Sequence, residues 1–230
     1  MEKWKIRAVE LLSGLAFTGK QNPAVVPYEP QKTEVSHFEE KELIRSTPER
    51  HGISSGRIYK LIDELEHEYR VNLHNLMIIK DGEVISECSA PGYDINTAHL
   101  SHSMSKTLTG IAIGILVDEG RLSTDELLTD IFPEFPPQDK KFRQMTVYHL
   151  LTMSSGVSFS EVGSVTEDAW TKAFFSSRLT FAPGSMFAYN SMNTYVLGRI
   201  IEVKTGKDLF DYIQERLLNP LEIYDWYWER

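Results

Sequence analysis

The chain has 230 residues, enough for one large domain or two small ones. Hydrophobic residues at 41% and charged residues at 25% describe an ordinary globular protein, and a formal charge of −9 with no basic cluster argues against nucleic acid as a partner. The single cysteine, Cys88, excludes an internal disulfide and any cysteine-based metal site, and reads as a small hydrophobe and not as a nucleophile.

Taken in chain order, the N-terminus predicts an amphipathic helix with Trp4, Ala8, Leu11, Leu12 and Leu15 on one side. The apolar stretch Leu11 to Phe17 is short, with Glu10 at its entrance and no small-residue cleavage pattern, so it does not read as a secretion signal. No segment reaches the ~18 consecutive apolar residues of a membrane span, and the expected location is cytoplasmic. Residues 18 to 50 are polar and broken by Pro23, Pro27, Pro30 and Pro48, which predicts an extended arm. Residues 1–50 are thus expected to be a helix plus arm, and 51–230 the domain.

From Ser54 onward, Ile58, Leu61, Ile62, Leu65 and Tyr69 follow helical spacing, with Ser54 or Ser55 as the cap. Leu76 to Ile79, Asp81-Gly82 and Val84-Ile85 then read as a β-hairpin with a tight Asp-Gly turn, which needs further strands to be stable. Leu108 to Val117 is a proline-free, mostly apolar run closed by Asp118-Glu119-Gly120, a buried helix. Ser123-Thr124-Asp125-Glu126 has the spacing of a capping box and predicts a helix start. Thr146 opens a short helix closed by Ser154-Ser155-Gly156. Another short helix is expected around Ala169 to Phe175, and Pro183-Gly184 is a turn. A helix carrying Tyr195, Val196, Leu197, Ile200 and Ile201 stops at Gly206, and a last one runs from Asp208 to before Pro220.

Chemistry concentrates at Ser103, Met104, Ser105 and Lys106, which read S-x-x-K at the head of the apolar run. Residues three apart on a helix share a face, so the lysine amine can reach the serine hydroxyl. A serine becomes a useful nucleophile when a neighbouring base takes its proton, and a lysine serves when its surroundings keep it neutral. Unpaired N–H groups at a helix start favour an anion formed beside that serine. The same four residues are also compatible with a capping serine and a solvated lysine.

Five stretches together resemble the serine β-lactamase and penicillin-binding-protein superfamily, especially its class C and esterase-like branch. They are Ser101 to Thr107, Asp118 to Leu122, Thr146 to Gly156, Pro183 to Ser191, and Gly198 to Gly206 followed by Leu217 to Leu221. The resemblance runs from about residue 54 to 230. It implies a mixed α/β (α+β) fold of the β-lactamase/transpeptidase type, with a helical subdomain and an incomplete antiparallel sheet subdomain. It implies Ser103 as the acylated nucleophile, Lys106 as its base or proton relay, and Tyr189, matching the tyrosine of the family's Y-x-N motif, as a second acid/base group. Ser191 stands where the family carries the asparagine of Y-x-N and is expected to bind substrate. A hydroxyl offers fewer hydrogen bonds than an amide, which opens esters and D-amino-acid peptides as substrates beside β-lactams. The family's third motif, K-T-G or H-x-G on a strand, is not matched. Lys204-Thr205-Gly206 has the letters but falls at a helix end, so a chain truncated at its C-terminus, with weak activity, is the expectation.

The function so implied is hydrolysis of an ester or amide through an acyl-enzyme on Ser103, with no cofactor and no metal, and a small molecule or peptide as substrate. The alternative is a non-catalytic, β-lactamase-like binding or regulatory protein. His99 and His102 form an H-x-x-H pair with no further ligands evident. His149 reads as structural, and Gly110 and Gly114 as a site of close helix packing.

Overall fold

A computed structural model describes residues 43–69, 71–95, 97–160, 169–224, 226 and 228, and these divide into two compact units, 43–100 and 101–228. The expected N-terminal helix and most of the expected arm lie outside the described residues.

The smaller unit is built on the hairpin that Asp81-Gly82 dictates. Strands β1 (Asn75–Lys80) and β2 (Glu83–Ser89) pair antiparallel, with Lys80 opposite Glu83 and Asn75 opposite Ser89. Asp81 and Gly82 have φ of 53° and 82°, the left-handed pair whose twist matches that of the strands they join. An irregularity in register between Ile78 and Ile79 interrupts the ladder. Backbone near residue 45 supplies a neighbour for β2. The Ser46 N–H donates to the Val84 carbonyl at 3.0 Å, and the Val84 N–H donates to the Ile44 carbonyl at 2.8 Å. Helix α1 (Ser55–His67) has the predicted spacing, with Ile58 buried. Its expected cap is replaced. Ser54 stands at the cap position without a side-chain bond, and the Glu49 carboxylate accepts the Ser55 N–H at 2.8 Å, placing negative charge at the positive end of the helix.

In the larger unit a 3-10 turn, His102–Met104, leads into α2 (Ser105–Asp118). Then come α3 (Leu128–Ile131), α4 (Val147–Leu151), α5 (Trp170–Ser176), α6 (Ser191–Thr205) and α7 (Leu209–Ile213). A π-type turn, Gln214–Leu218, continues α7. With the hairpin this gives a mixed α/β architecture, seven α-helices and one two-stranded antiparallel sheet among the described residues. Helix α6 is the hub, packing against α2, α4, α5 and α7. Met192, Asn193, Val196, Leu197, Ile200 and Ile201 are buried at spacings that keep them on one broad face. Helix α2 answers with Thr109, Ala112, Ile113 and Leu116, a repeat of three and four residues. Phe132, Phe142, Phe174 and Phe175 fill the space behind, with ring centroids 5.0 to 5.8 Å apart in mostly edge-to-face contacts. Helix α6 ends where expected, at Gly206 with φ 73°, whose N–H caps the Glu202 carbonyl at 2.8 Å.

Two sequence expectations are corrected. The Ser123–Glu126 capping box does not start a helix. The Ser123 hydroxyl accepts the Asp125 N–H within a turn, Glu126 pairs with Lys204, and the backbone runs extended beside Thr146 before α3 begins at Leu128. Backbone partners outside the segment outcompete its local helix signal. Gly110 and Gly114 are also not packing contacts among the described residues, because a Cβ at either would meet no atom within 4 Å. The buried face of α2 is the Thr109–Leu116 face, and Gly114 is exposed.

Candidate active site

Ser103 sits one step ahead of its predicted position, in the 3-10 turn and not in the first α-helical turn. His102 before it has φ 45°, a left-handed backbone that non-glycine residues seldom adopt and that recurs at functional sites. The Ser105 hydroxyl donates to the His102 carbonyl at 2.7 Å and so fastens the turn to the helix start. With Ser103 in the tight turn and Lys106 in the first turn of α2, the three-residue spacing still puts both on one face. The Lys106 Nζ donates to the Ser103 Oγ at 3.1 Å.

Tyr189 comes from far along the chain, on the segment between the Pro183-Gly184 turn and α6. Its hydroxyl donates to the same Ser103 Oγ at 2.7 Å. The Lys106 Nζ is 5.2 Å from the Tyr189 ring centroid, within reach of a cation–π attraction. The hydrogen bond from Lys106 is the largest influence holding the Tyr189 phenol below its ordinary range, with Ser103 next. The phenol is 54% exposed, so water screens part of this effect. Two proton-bearing groups therefore aim at one serine oxygen, and each can pass protons to or from it.

Ser191 opens α6 and is the last of the influences that hold the Tyr189 phenol down. It shares a groove of about 280 Å³ with Lys106, Thr109, Tyr195, Arg199 and Trp228. All four residues singled out from the sequence are thus brought together in one unit. The asparagine beside Ser191 does not take over the site position. Asn190 is buried, its Nδ2 donates to the Val157 and Phe159 carbonyls at 3.1 and 2.7 Å, and its Oδ1 caps the Met192 N–H at 2.9 Å.

The histidines divide differently. In α4 the His149 Nδ1 accepts the Thr146 N–H at 3.0 Å, so Nε2 carries the proton of the neutral ring. Burial holds its pKa down and favours that neutral form. A side chain at position 184 would strike this ring, since a Cβ on Gly184 would lie 2.9 Å from the His149 Nε2, so glycine is required there. In the smaller unit the His99 Nδ1 donates to the Thr97 carbonyl at 2.6 Å, and its ring lies 5.1 Å from that of His74. Sequence reasoning missed Asn190, Asn193 and Ser155, which lock the segment carrying Tyr189. Buried polar residues at the start of an apolar helix were the available signal.

Residues 58–230 match the family model described as Beta-lactamase, and the chain belongs to that family. Among curated relatives it is 27% identical over 179 residues to "Penicillin-binding protein 4" of Amycolatopsis lactamdurans, a match covering 70% of this chain and 46% of that protein. The chain thus spans less than half the length of that relative. A putative beta-lactamase from Bacteroides dorei superposes with a TM-score of 0.63 at 21% identity, covering 74% of this chain and 52% of the other. The octameric penicillin-binding protein homologue from Pyrococcus abyssi gives 0.57 at 28% identity, covering 74% and 43%. The resemblance read from the five stretches and the β-lactamase-like fold are both borne out. No described helix is long and apolar enough to cross a membrane.

Proposed function

We propose that the chain carries the nucleophile of a serine hydrolase acting on an ester or amide through an acyl-enzyme. The observation that carries this reading is the convergence of Lys106 Nζ and Tyr189 OH on Ser103 Oγ, at 3.1 and 2.7 Å. Family membership and the penicillin-binding relative support it.

In this reading the Ser103 oxygen attacks the carbonyl carbon while its proton moves to the Tyr189–Lys106 pair. A tyrosine serves as base in its phenolate form, which the adjacent ammonium favours. The backbone N–H of Ser103, in the first turn of its 3-10 segment where helical carbonyls do not reach, holds the oxyanion. Collapse of the tetrahedral adduct breaks the bond to the leaving oxygen or nitrogen, and Tyr189 returns the proton to it. Water then attacks the acyl ester, loses a proton to the same pair, and frees the serine. Ser191, smaller than an asparagine, contacts the substrate from the α6 side. Carboxylic esters, β-lactams and D-amino-acid peptides all present the carbonyl this chemistry needs.

A fluorophosphonate probe tests the reading, because it needs an activated serine and leaves a stable adduct. Labelling at Ser103 by mass spectrometry, absent in Ser103→Ala, is the expected result. Labelling of neither protein, or equal labelling of both, favours a non-catalytic binding protein.

A further inference from the structure

We infer that Asn193 is a positioning residue that holds Tyr189 over Ser103 from inside the protein, without touching substrate; the inference rests on the reading of Tyr189 given above. Tyr189 is itself exposed, so little packing fixes it directly. Its two chain neighbours do that work. The Ala188 N–H donates to the Met153 carbonyl at 2.9 Å. On the other side, Asn190 ties to the Val157 and Phe159 carbonyls. Both anchors lie in one loop, residues 153–159, so the tyrosine is only as well placed as that loop.

The loop does not hold its own shape cheaply. Met153 has φ 53°, a left-handed conformation disfavoured for a side chain of its kind, and Gly156 has φ 75°. Something must over-determine it. Asn193, on the second buried position of α6, is fully buried and grips the loop at two points. Its Oδ1 accepts the Ser155 hydroxyl at 2.7 Å, and its Nδ2 faces the Met153 sulfur at 3.4 Å. Ser155 is buried as well, and its oxygen accepts the Val157 N–H at 3.3 Å. One amide thus fixes residues 153 and 155. The chain of contacts runs from Asn193 to Met153, from the Met153 carbonyl to Ala188, and from there to Tyr189 and Ser103. Core filling alone does not require an amide here. The neighbouring face of α6 is Met192, Val196, Leu197, Ile200 and Ile201, and a leucine has a similar size.

The test follows Tyr189 itself and does not depend on turnover. Tyrosine labelled at Cζ gives one NMR signal per residue, and the signal absent in Tyr189→Phe is that of Tyr189. In Asn193→Leu the expected result is a move of the Tyr189 signal, and of its titration midpoint up toward the ordinary phenol range, with the other tyrosines unmoved. A Tyr189 signal and midpoint that both stay in place overturn the inference. A disturbance spread over all the tyrosines also overturns it, since it marks a general structural role. Should Asn193→Leu not fold, Ser155→Ala removes the same tie with a smaller cut, and the same two outcomes are read from it. Fluorophosphonate labelling adds a second reading. Asn193→Leu is expected to slow it about tenfold or more when Tyr189 is present, and to add nothing in a Tyr189→Phe background. Equal slowing in both backgrounds overturns the inference. Failure of the wild type to label overturns the hydrolase reading instead, and leaves the NMR result to decide the role of Asn193.

Discussion

The Tyr189 hydroxyl meets the Ser103 Oγ at 2.7 Å although 86 positions of chain separate them. The third partner, Lys106, hydrogen-bonds to the same oxygen and also sits by the tyrosine ring. The three groups share one proton network, so changing any one alters the other two.

Removing the phenol tests that network. Tyr189→Phe is expected to slow fluorophosphonate labelling of Ser103 by about 10²-fold or more, the usual contribution of a positioned acid/base group. The pH profile carries the sign. The phenolate is the base form, and Lys106 holds the phenol below its ordinary range. Labelling therefore rises with pH, with its midpoint below the ordinary phenol value of about 10. Lys106→Ala moves that inflection upward. An inflection that stays in place in Lys106→Ala would show that the amine does not tune the phenol.

A pH-dependent latch sits in the smaller unit. The His51 ring lies 3.1 Å from the Asp81 carboxylate and 3.0 Å from that of Glu83, tying the turn at Pro48–His51 to the hairpin tip. Hydrogen bonding to Asp81, then to Glu83, raises the His51 pKa above its ordinary value. Its contribution is complete below about pH 6.5 and is lost as pH rises through the raised folded value. Asp81 is lowered chiefly by Lys80 and then by His51, and Glu83 by Ser46 and then by His51. Their share is present above their unfolded values, near 4, and is lost as pH falls through the lowered ones. Protection of the Val84 amide, its exchange rate corrected for the intrinsic pH dependence, should be greatest between these limits, and His51→Gln should flatten its upper limb.

The aromatic core predicts a contrast in stability. Phe142 is fully buried against Phe174 and Phe175. Phe142→Ala should cost about 3–5 kcal/mol in chemical denaturation, through lost burial and the cavity left behind. Ile111, 42% exposed on the outer side of α2, should cost no more than about 0.5 kcal/mol on change to polar residues. Similar losses at both positions would place the core elsewhere.

Glycine substitutions should separate in sign. At Gly156 a Cβ would approach the Phe181 carbonyl oxygen to 2.5 Å, and φ is 75°, so Gly156→Ala should destabilise by more than about 1 kcal/mol. At Gly114 the added methyl meets open space inside a helix, so Gly114→Ala should stabilise by about 0.5–1 kcal/mol. Thermal melts of the two variants settle both. A destabilising Gly114→Ala would mean that α2 meets a close neighbour on that face.

What local chemistry controls was legible in the residues alone. The Asp81-Gly82 hairpin, the Gly206 stop, the apolar run of α2 and the S-x-x-K pairing each depend on a few consecutive residues and elementary sterics, and each is present, with Ser103 moved into the turn just before the helix. Resemblance to the family brought Tyr189 and Ser191 into view, but not the contacts that place them. Only the tertiary structure decided that Glu126 would pair with Lys204 and not cap a helix, and that Asn190 would turn inward while Ser191 faced the groove. It also decided that Gly110 and Gly114 would face open space. A polar group takes the partner that the fold brings within about three ångströms, and such partners here come from 31 to 86 positions away, beyond the reach of any local pattern.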